Sequence, residues 1–253
     1  MYEKKQLGTI SMNQFKRKQE FITVFCNALR EHKPMNLYFL NDHGYNIAQK
    51  DPDYGAVLNR ADYLLNDGIG VKLGAKLWGI DLDENLNGTD LIPRLLDQCA
   101  AHHCSVYLLG STQETVRAAA QKLIAQHPNL VIAGTHSGYF DSEQSIVEAI
   151  NHSNAEVLLV GMGMPLQEQF IDRNAAALKP HFRIAVGGFI DFASGIKPRA
   201  PKIMRRLNLE WLFRMALEPR RMWKRNVIGH AQFFAKVIWL KWNHKEKRVP
   251  PHS

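Results

Sequence analysis

From residue 36 to about residue 190, short apolar runs alternate with longer segments of helical period. The runs are residues 36–40, 62–65, 105–109, 130–133, 155–160 and 182–186. Their length and their β-branched and aromatic content suit strands buried on both faces, as in parallel sheets. Helix signals lie between them. Ser111 with Glu114 reads as a capping box ahead of Val116, Ala120 and Leu123, and Asp141 with Gln144 resembles a second such start. Leu91, Leu95 and Gln98 continue a helix after Thr89. Repeated strand–helix units with right-handed crossovers predict an α/β fold with a Rossmann-like, doubly wound, mostly parallel sheet. Periodicity sets this class and leaves the strand order open.

After Pro201 the pattern becomes helix only, so residues 1–201 read as the α/β domain and 202–253 as a helical, basic appendage. Between Lys202 and Arg248 stand 13 Lys/Arg and 3 Asp/Glu, a local balance of +10; in a chain of net charge +8 the remainder carries −2. A near-neutral body with a basic tail calls for an anionic partner: phospholipid head groups, a diphosphate or nucleic acid. On one helical wheel for residues 220–243, Trp223, Val227, Phe234 and Ile238 form a stripe opposite Arg221, Arg225 and Lys236. Basic residues beside Trp and Phe suit a helix lying in a membrane interface; they equally suit a solvated face packed on the domain by its aromatics. Cys26, Cys99 and Cys104 form no disulfide or metal pattern and point to a reducing compartment. Neither a secretory signal nor 18 uninterrupted apolar residues is found, which predicts a cytoplasmic protein.

In open α/β sheets ligands sit beyond the carboxyl ends of the strands. The residues that follow the six runs are Asn41 to Gly44, Asn66 to Gly70, Gly110-Ser111, Gly138-Tyr139-Phe140, Gly161 to Glu168, and Gly187 to Asp191. Glycine permits close approach of backbone and ligand, and helix N-termini after such loops favour phosphate. Several such loops on one edge, with Asp67, Gln167 and Glu168 among them, predict a nucleotide-type site. Asp67 is the acid/base candidate, since transfer to a hydroxyl with inversion needs a carboxylate to take its proton. The same aspartate would also serve as N-cap of a helix beginning near Gly68. Asp81-Leu-Asp83 is read as a solvated turn rather than a metal-binding pair, and His102-His103-Cys104 as a helix end.

Taken in order, these loops resemble the WecG/TagA/CpsF family of glycosyltransferases. The matching blocks are Asn66-Asp67-Gly68-Ile-Gly70-Val71, Gly88-Thr-Asp90-Leu91, Gly138-Tyr-Phe140, Gly161 to Glu168, Gly187-Gly188 and Asp191. Arg199-Ala-Pro201, Leu209-Glu210-Trp211-Leu-Phe-Arg214 and Glu218-Pro219-Arg220-Arg221 complete the series, which spans roughly residues 36 to 225. The resemblance implies an inverting transfer of a sugar from a UDP-sugar to an undecaprenyl-diphosphate-linked acceptor in cell-envelope polymer or exopolysaccharide synthesis, with no cofactor or obligatory metal. It implies Asp67 as base. Asn41, Asn66, Gly110, Gly138, Tyr139, Gly161, Gly163, Gln167, Glu168, Gly187, Gly188 and Asp191 would line the substrate site. Arg214, Arg221 and Arg225 would face the diphosphates, and the appendage would meet the anionic inner membrane surface and close over the site. Guanidinium suits that task because it stays charged and pairs two phosphate oxygens at once. A homo-oligomer is left open.

Two departures bear on the sugar. Many relatives carry arginine where this chain has Asn85, and some a threonine or similar small residue where it has Phe39. A missing cation there argues against a uronic acid and for a neutral hexose or N-acetylhexosamine. Two rivals from other classes are a nucleic-acid-binding module using the basic tail and a nicotinamide-dependent oxidoreductase. The first lacks a groove-reading motif, and the second lacks a dinucleotide fingerprint after the first strand.

Overall fold

In a computed structural model the chain is described over residues 3–206, 209–223 and 227–246. A hairpin of β1 (Lys4–Leu7) and β2 (Ile10–Asn13) leads into helix α1 (Lys18–Glu31). The main sheet then begins: β3 (Met35–Leu40), helices α2 (Asp42–Ala48) and α3 (Pro52–Arg60), β4 (Tyr63–Asn66), and helices α4 (Ile69–Leu77) and α5 (Gly88–Ala101). It continues with β5 (Ser105–Gly110), α6 (Gln113–Gln126), β6 (Val131–His136), α7 (Glu143–His152), β7 (Val157–Gly161), α8 (Leu166–Arg173), β8 (Phe182–Ala185) and α9 (Phe189–Ser194). The rest is helical: α10 (Lys202–Arg206), α11 (Glu210–Leu217), α12 (Pro219–Trp223) and α13 (Gly229–Glu246). The six main strands are all parallel, in the order β4-β3-β8-β7-β5-β6. This is the doubly wound α/β fold expected, and each predicted apolar run is a strand within a few residues of its expected ends.

Successive side chains of a strand point to opposite faces, and here both faces are core. Leu37 and Phe39 of β3, Val106 and Leu108 of β5, and Val157 and Leu159 of β7 join α1, α5, α6 and α9 in one cluster. Their neighbours Tyr38, Leu40, Tyr107, Leu109, Leu158 and Val160 join α2, α3, α4, α7 and α8 in the other. The N-terminal hairpin was not legible in the sequence. It lies against the outer side of β4, where buried Asn13 accepts the Leu64 amide through Oδ1 at 2.8 Å. A side chain thereby satisfies an amide of an edge strand that would otherwise invite a foreign strand.

Two helix starts fall one residue later than expected. The cap of α6 is Thr112, whose hydroxyl accepts from Thr115 N, because Ser111 adopts φ +54° and turns its hydroxyl elsewhere. The cap of α7 is Ser142 rather than Asp141. The helix end expected at His102 and His103 is present: α5 closes at Ala101, with His102 at the C-cap. Of the stripe drawn through residues 220–243, Trp223, Val227 and Ile238 are exposed. The side chains that α13 turns fully inward are Phe233 and Val237, which the wheel did not single out.

Candidate active site

The carboxyl ends of all six parallel strands open into one cavity of about 1090 Å³. Asn41 follows β3 and caps α2, accepting Gly44 N at 2.9 Å, while its Nδ2 lies 3.5 Å from Asp67 Oδ2. Asp67 follows β4. Its amide extends the parallel ladder to Leu40 O at 2.7 Å, which fixes where the carboxylate emerges. The next residue, Gly68, has φ +96° and ψ 160°, a conformation reserved for glycine, and its amide donates to Asn85 Oδ1 at 2.8 Å. Gly68 itself occupies the N-cap position of α4, with no side-chain cap. The capping reading of Asp67 is thus corrected, and its carboxylate remains at the cavity wall.

The glycines at the strand ends serve backbone packing first. A Cβ on Gly110 would stand 2.3 Å from Gly161 O, and one on Gly161 would stand 2.9 Å from Gly187 O. Side chains there would force neighbouring strand ends apart. Gly163 (φ +83°) and Gly187 (φ +55°) differ, because open space surrounds their Cβ positions. Both lie on the cavity lining. Ser111 donates to Asp191 Oδ1 at 2.7 Å, and Lys197 Nζ pairs with Asp191 Oδ2 at 2.6 Å. The far wall comes from the C-terminal segment, through Leu217, Glu218, Ile228, Gly229 and Gln232. Asn46 Nδ2 donates to Gly229 O at 2.8 Å, and His230 pairs with Asp42. The helices after Pro201 therefore help to build the cavity.

Of the residues expected from the sequence, Asn41, Asp67, Gly138, Tyr139, Gly161, Gly163, Gln167, Gly187, Gly188 and Asp191 line this cavity. Asn66 and Glu168 do not. Both are fully buried, and Asn66 Nδ2 donates to Glu84 O at 3.2 Å, so neither has surface to offer a substrate. Gly110 sits beneath the lining, against Gly161. Arg225 lies outside the described residues, as do the side chains of Arg214 and Arg221. Phe39 and Ser111, noted in the sequence for other reasons, also line it, as do Lys50, Thr89 and Lys197, which were not assigned to the site. Nothing in the local pattern of Lys50 and Lys197 separates them from surface lysines. Phe39 packs beside Gly88, whose Cβ position is 3.4 Å from the ring. Asp81 and Asp83 are exposed on the loop before α5, and among the described residues no group of three His, Cys, Asp or Glu could hold a metal ion.

Burial pushes the Glu168 carboxyl up to about 7, against hydrogen bonds from Gln167, its own backbone and Tyr54 that favour the charged form. In the unfolded chain the group returns to about 4.5. A carboxyl with a raised folded pKa contributes stability fully below the unfolded value and loses it as pH rises through the folded one. Relative to Glu168→Gln, the protein is expected to lose on the order of 3 kcal/mol of stability as pH rises through that window. Urea melts of both proteins at several pH values check this; parallel stability curves would contradict it.

A doubly wound sheet with glycine loops and a carboxylate converging on one cavity beyond its strand ends is the architecture in which open α/β proteins place their ligand sites. The glycosyl transferase WecG/TagA/CpsF family matches residues 6–247, and the chain belongs to that family. It is similar to a Bacillus subtilis (strain 168) protein, 34% identical over 70% of this chain and 69% of that one. A Bacillus spizizenii relative (strain ATCC 23059 / NRRL B-14472 / W23) is 30% identical over 81% and 77%, and one from Staphylococcus aureus (strain NCTC 8325 / PS 47) is 33% identical over 75% and 74%. All three bear the name N-acetylglucosaminyldiphosphoundecaprenol N-acetyl-beta-D-mannosaminyltransferase. The protein is a glycosyltransferase, and the nucleic-acid and oxidoreductase readings are set aside.

Proposed function

We propose that the protein transfers a neutral hexose or N-acetylhexosamine from a UDP-sugar to a sugar carried on undecaprenyl diphosphate, with inversion at the anomeric carbon. The observation that carries this reading is the meeting of Asp67 with the β7 and β8 glycine loops in one cavity, in a chain whose relatives share one lipid-linked sugar transfer. In it, Asp67 takes the proton of the acceptor hydroxyl as that oxygen attacks. The donor lies along Gly163, Gln167, Gly187, Gly188 and Asp191, and Arg214, Arg221 and Arg225 neutralise charge developing on the departing UDP.

The acceptor's lipid places the reaction at a membrane surface. No helix among the described residues is long and apolar enough to cross a membrane. Support for peripheral binding comes from exposed Trp223, Ile238, Trp239 and Trp242 within the stretch that carries +10. Each basic residue near anionic lipid contributes about 1 kcal/mol, weakened by salt. One experiment tests substrate and surface together. Undecaprenyl-diphosphate-linked N-acetylglucosamine is placed in vesicles with or without anionic lipid, and transfer is followed from UDP-N-acetylmannosamine, UDP-N-acetylglucosamine and UDP-glucose. Transfer from at least one donor is expected, faster on anionic vesicles and slowed by salt. No transfer from any of them would refute the substrate assignment, and equal rates on neutral vesicles would refute the membrane contact.

A further inference from the structure

Gln167 Oε1 accepts two backbone amides from different loops, Gly187 N at 2.9 Å and Gly163 N at 3.3 Å. One oxygen thus joins the end of β7 to the end of β8, at the two cavity-lining glycines whose Cβ positions are open. A carboxamide has nearly the same shape when its terminal torsion is turned by half a revolution. Turned, Gln167 would direct its NH2 at two N–H groups, and neither could be satisfied. What holds it in the productive sense is its other end, where Nε2 donates to Glu168 Oε1 at 2.6 Å.

Glu168 is fully buried and has no part in the chemistry proposed above. Its setting is complete for an acceptor. Tyr54 of α3 donates to Oε2 at 3.4 Å, and Tyr38 of β3 reaches the Glu168 carbonyl at 3.4 Å. A carboxyl retains acceptor capacity whether or not it is protonated, so the contact to Gln167 survives the titration raised by burial. A buried group of this cost, placed directly behind a cavity-lining amide, calls for a role in the site.

We propose that Glu168 is a positioning residue of the donor site: it sets the sense of the Gln167 carboxamide, whose oxygen then clips the β7 and β8 loops at the spacing that admits the nucleotide-sugar. This rests on the donor assignment under Proposed function. Three variants and two kinds of readout test it. Glu168→Gln keeps an acceptor toward Gln167 and a partner for Tyr54, so turnover and UDP affinity should stay at wild-type values. Glu168→Leu removes the acceptor. The UDP dissociation constant and the donor KM should rise about tenfold or more, the scale of one buried hydrogen bond, with kcat changing less. Amide exchange at Gly163 and Gly187, read by NMR without ligand, should accelerate by a similar factor. If Glu168→Leu does not fold, Glu168→Asp replaces it: one methylene shorter, it withdraws the acceptor while keeping the acid, and the same losses are expected. A folded Glu168→Gln that binds UDP normally yet turns over about 10²-fold slower would overturn the proposal, marking the carboxyl as a chemical participant. Wild-type UDP affinity and glycine exchange in Glu168→Leu or Glu168→Asp would overturn it as well. Should the wild type fail to bind UDP, the donor assignment fails, and the exchange comparison still decides whether the clip depends on Glu168.

Discussion

Replacing Asp67 by asparagine is expected to slow sugar transfer about 10²–10⁴-fold, the usual cost of removing a general base. UDP affinity and melting temperature should stay near those of the wild type. The exchange keeps shape and most hydrogen bonding, and what holds the residue in place is backbone: the Asp67 amide on Leu40 O and the Gly68 amide on Asn85. If Asp67 were a helix cap, asparagine would replace it without loss, but the cap position of α4 belongs to Gly68. Initial rate, UDP binding and melting temperature of this one variant decide the matter. A folded, UDP-binding protein with near-normal turnover would remove Asp67 as base. Asp191 would then be the next carboxylate to test, since it lines the same cavity whereas Glu168 is sealed from it.

The second large effect concerns the C-terminal helix. Phe233→Ala should destabilise the whole protein by about 3–5 kcal/mol, the range for emptying a buried aromatic site. The Phe233 ring is fully buried and meets Tyr45 edge to face at 5.1 Å. Gly74 of α4 lies directly beneath it, where a Cβ would stand 2.6 Å from the ring. Trp78 Nε1 also donates to Val237 O at 3.2 Å. Through Phe233 and Val237, α13 thus shares one core cluster with the α/β body, and a truncation at Pro201 would strip part of that core as well as the basic surface. Thermal and urea denaturation check the variant. Unchanged melting would mean that α13 packs only loosely on α2 and α4.

How far these results could be read from residues alone differs from element to element. Runs such as Leu37 to Leu40 and Val157 to Val160 announce strands buried on both faces, because only a sheet covered twice stays apolar at every position. The doubly wound class and the loops that carry Asn41, Asp67, Gln167 and Asp191 follow from that pattern and its punctuation by glycine. The ordered blocks from Asn66 to Arg221 carry the family. These are local signals, written in spacings of a few residues.

What escaped depends on contacts between residues far apart in sequence. Asn85 reads as a lost cation, yet in the fold it anchors the Gly68 amide beside Asp67. Glu168 reads as a ligand-facing acid beside Gln167, yet packing against Tyr54 and Tyr38 places it behind the lining. The inward face of α13 is set by the space above Gly74, more than 150 positions earlier in the chain, so no wheel drawn through residues 220–243 could reveal it. The sequence determined the sheet, its class and the loops at its carboxyl edge, because hydrophobic period and turn chemistry act locally. Which side chains face the cavity, and which are buried behind it, was decided only when distant elements packed and filled each other's volume.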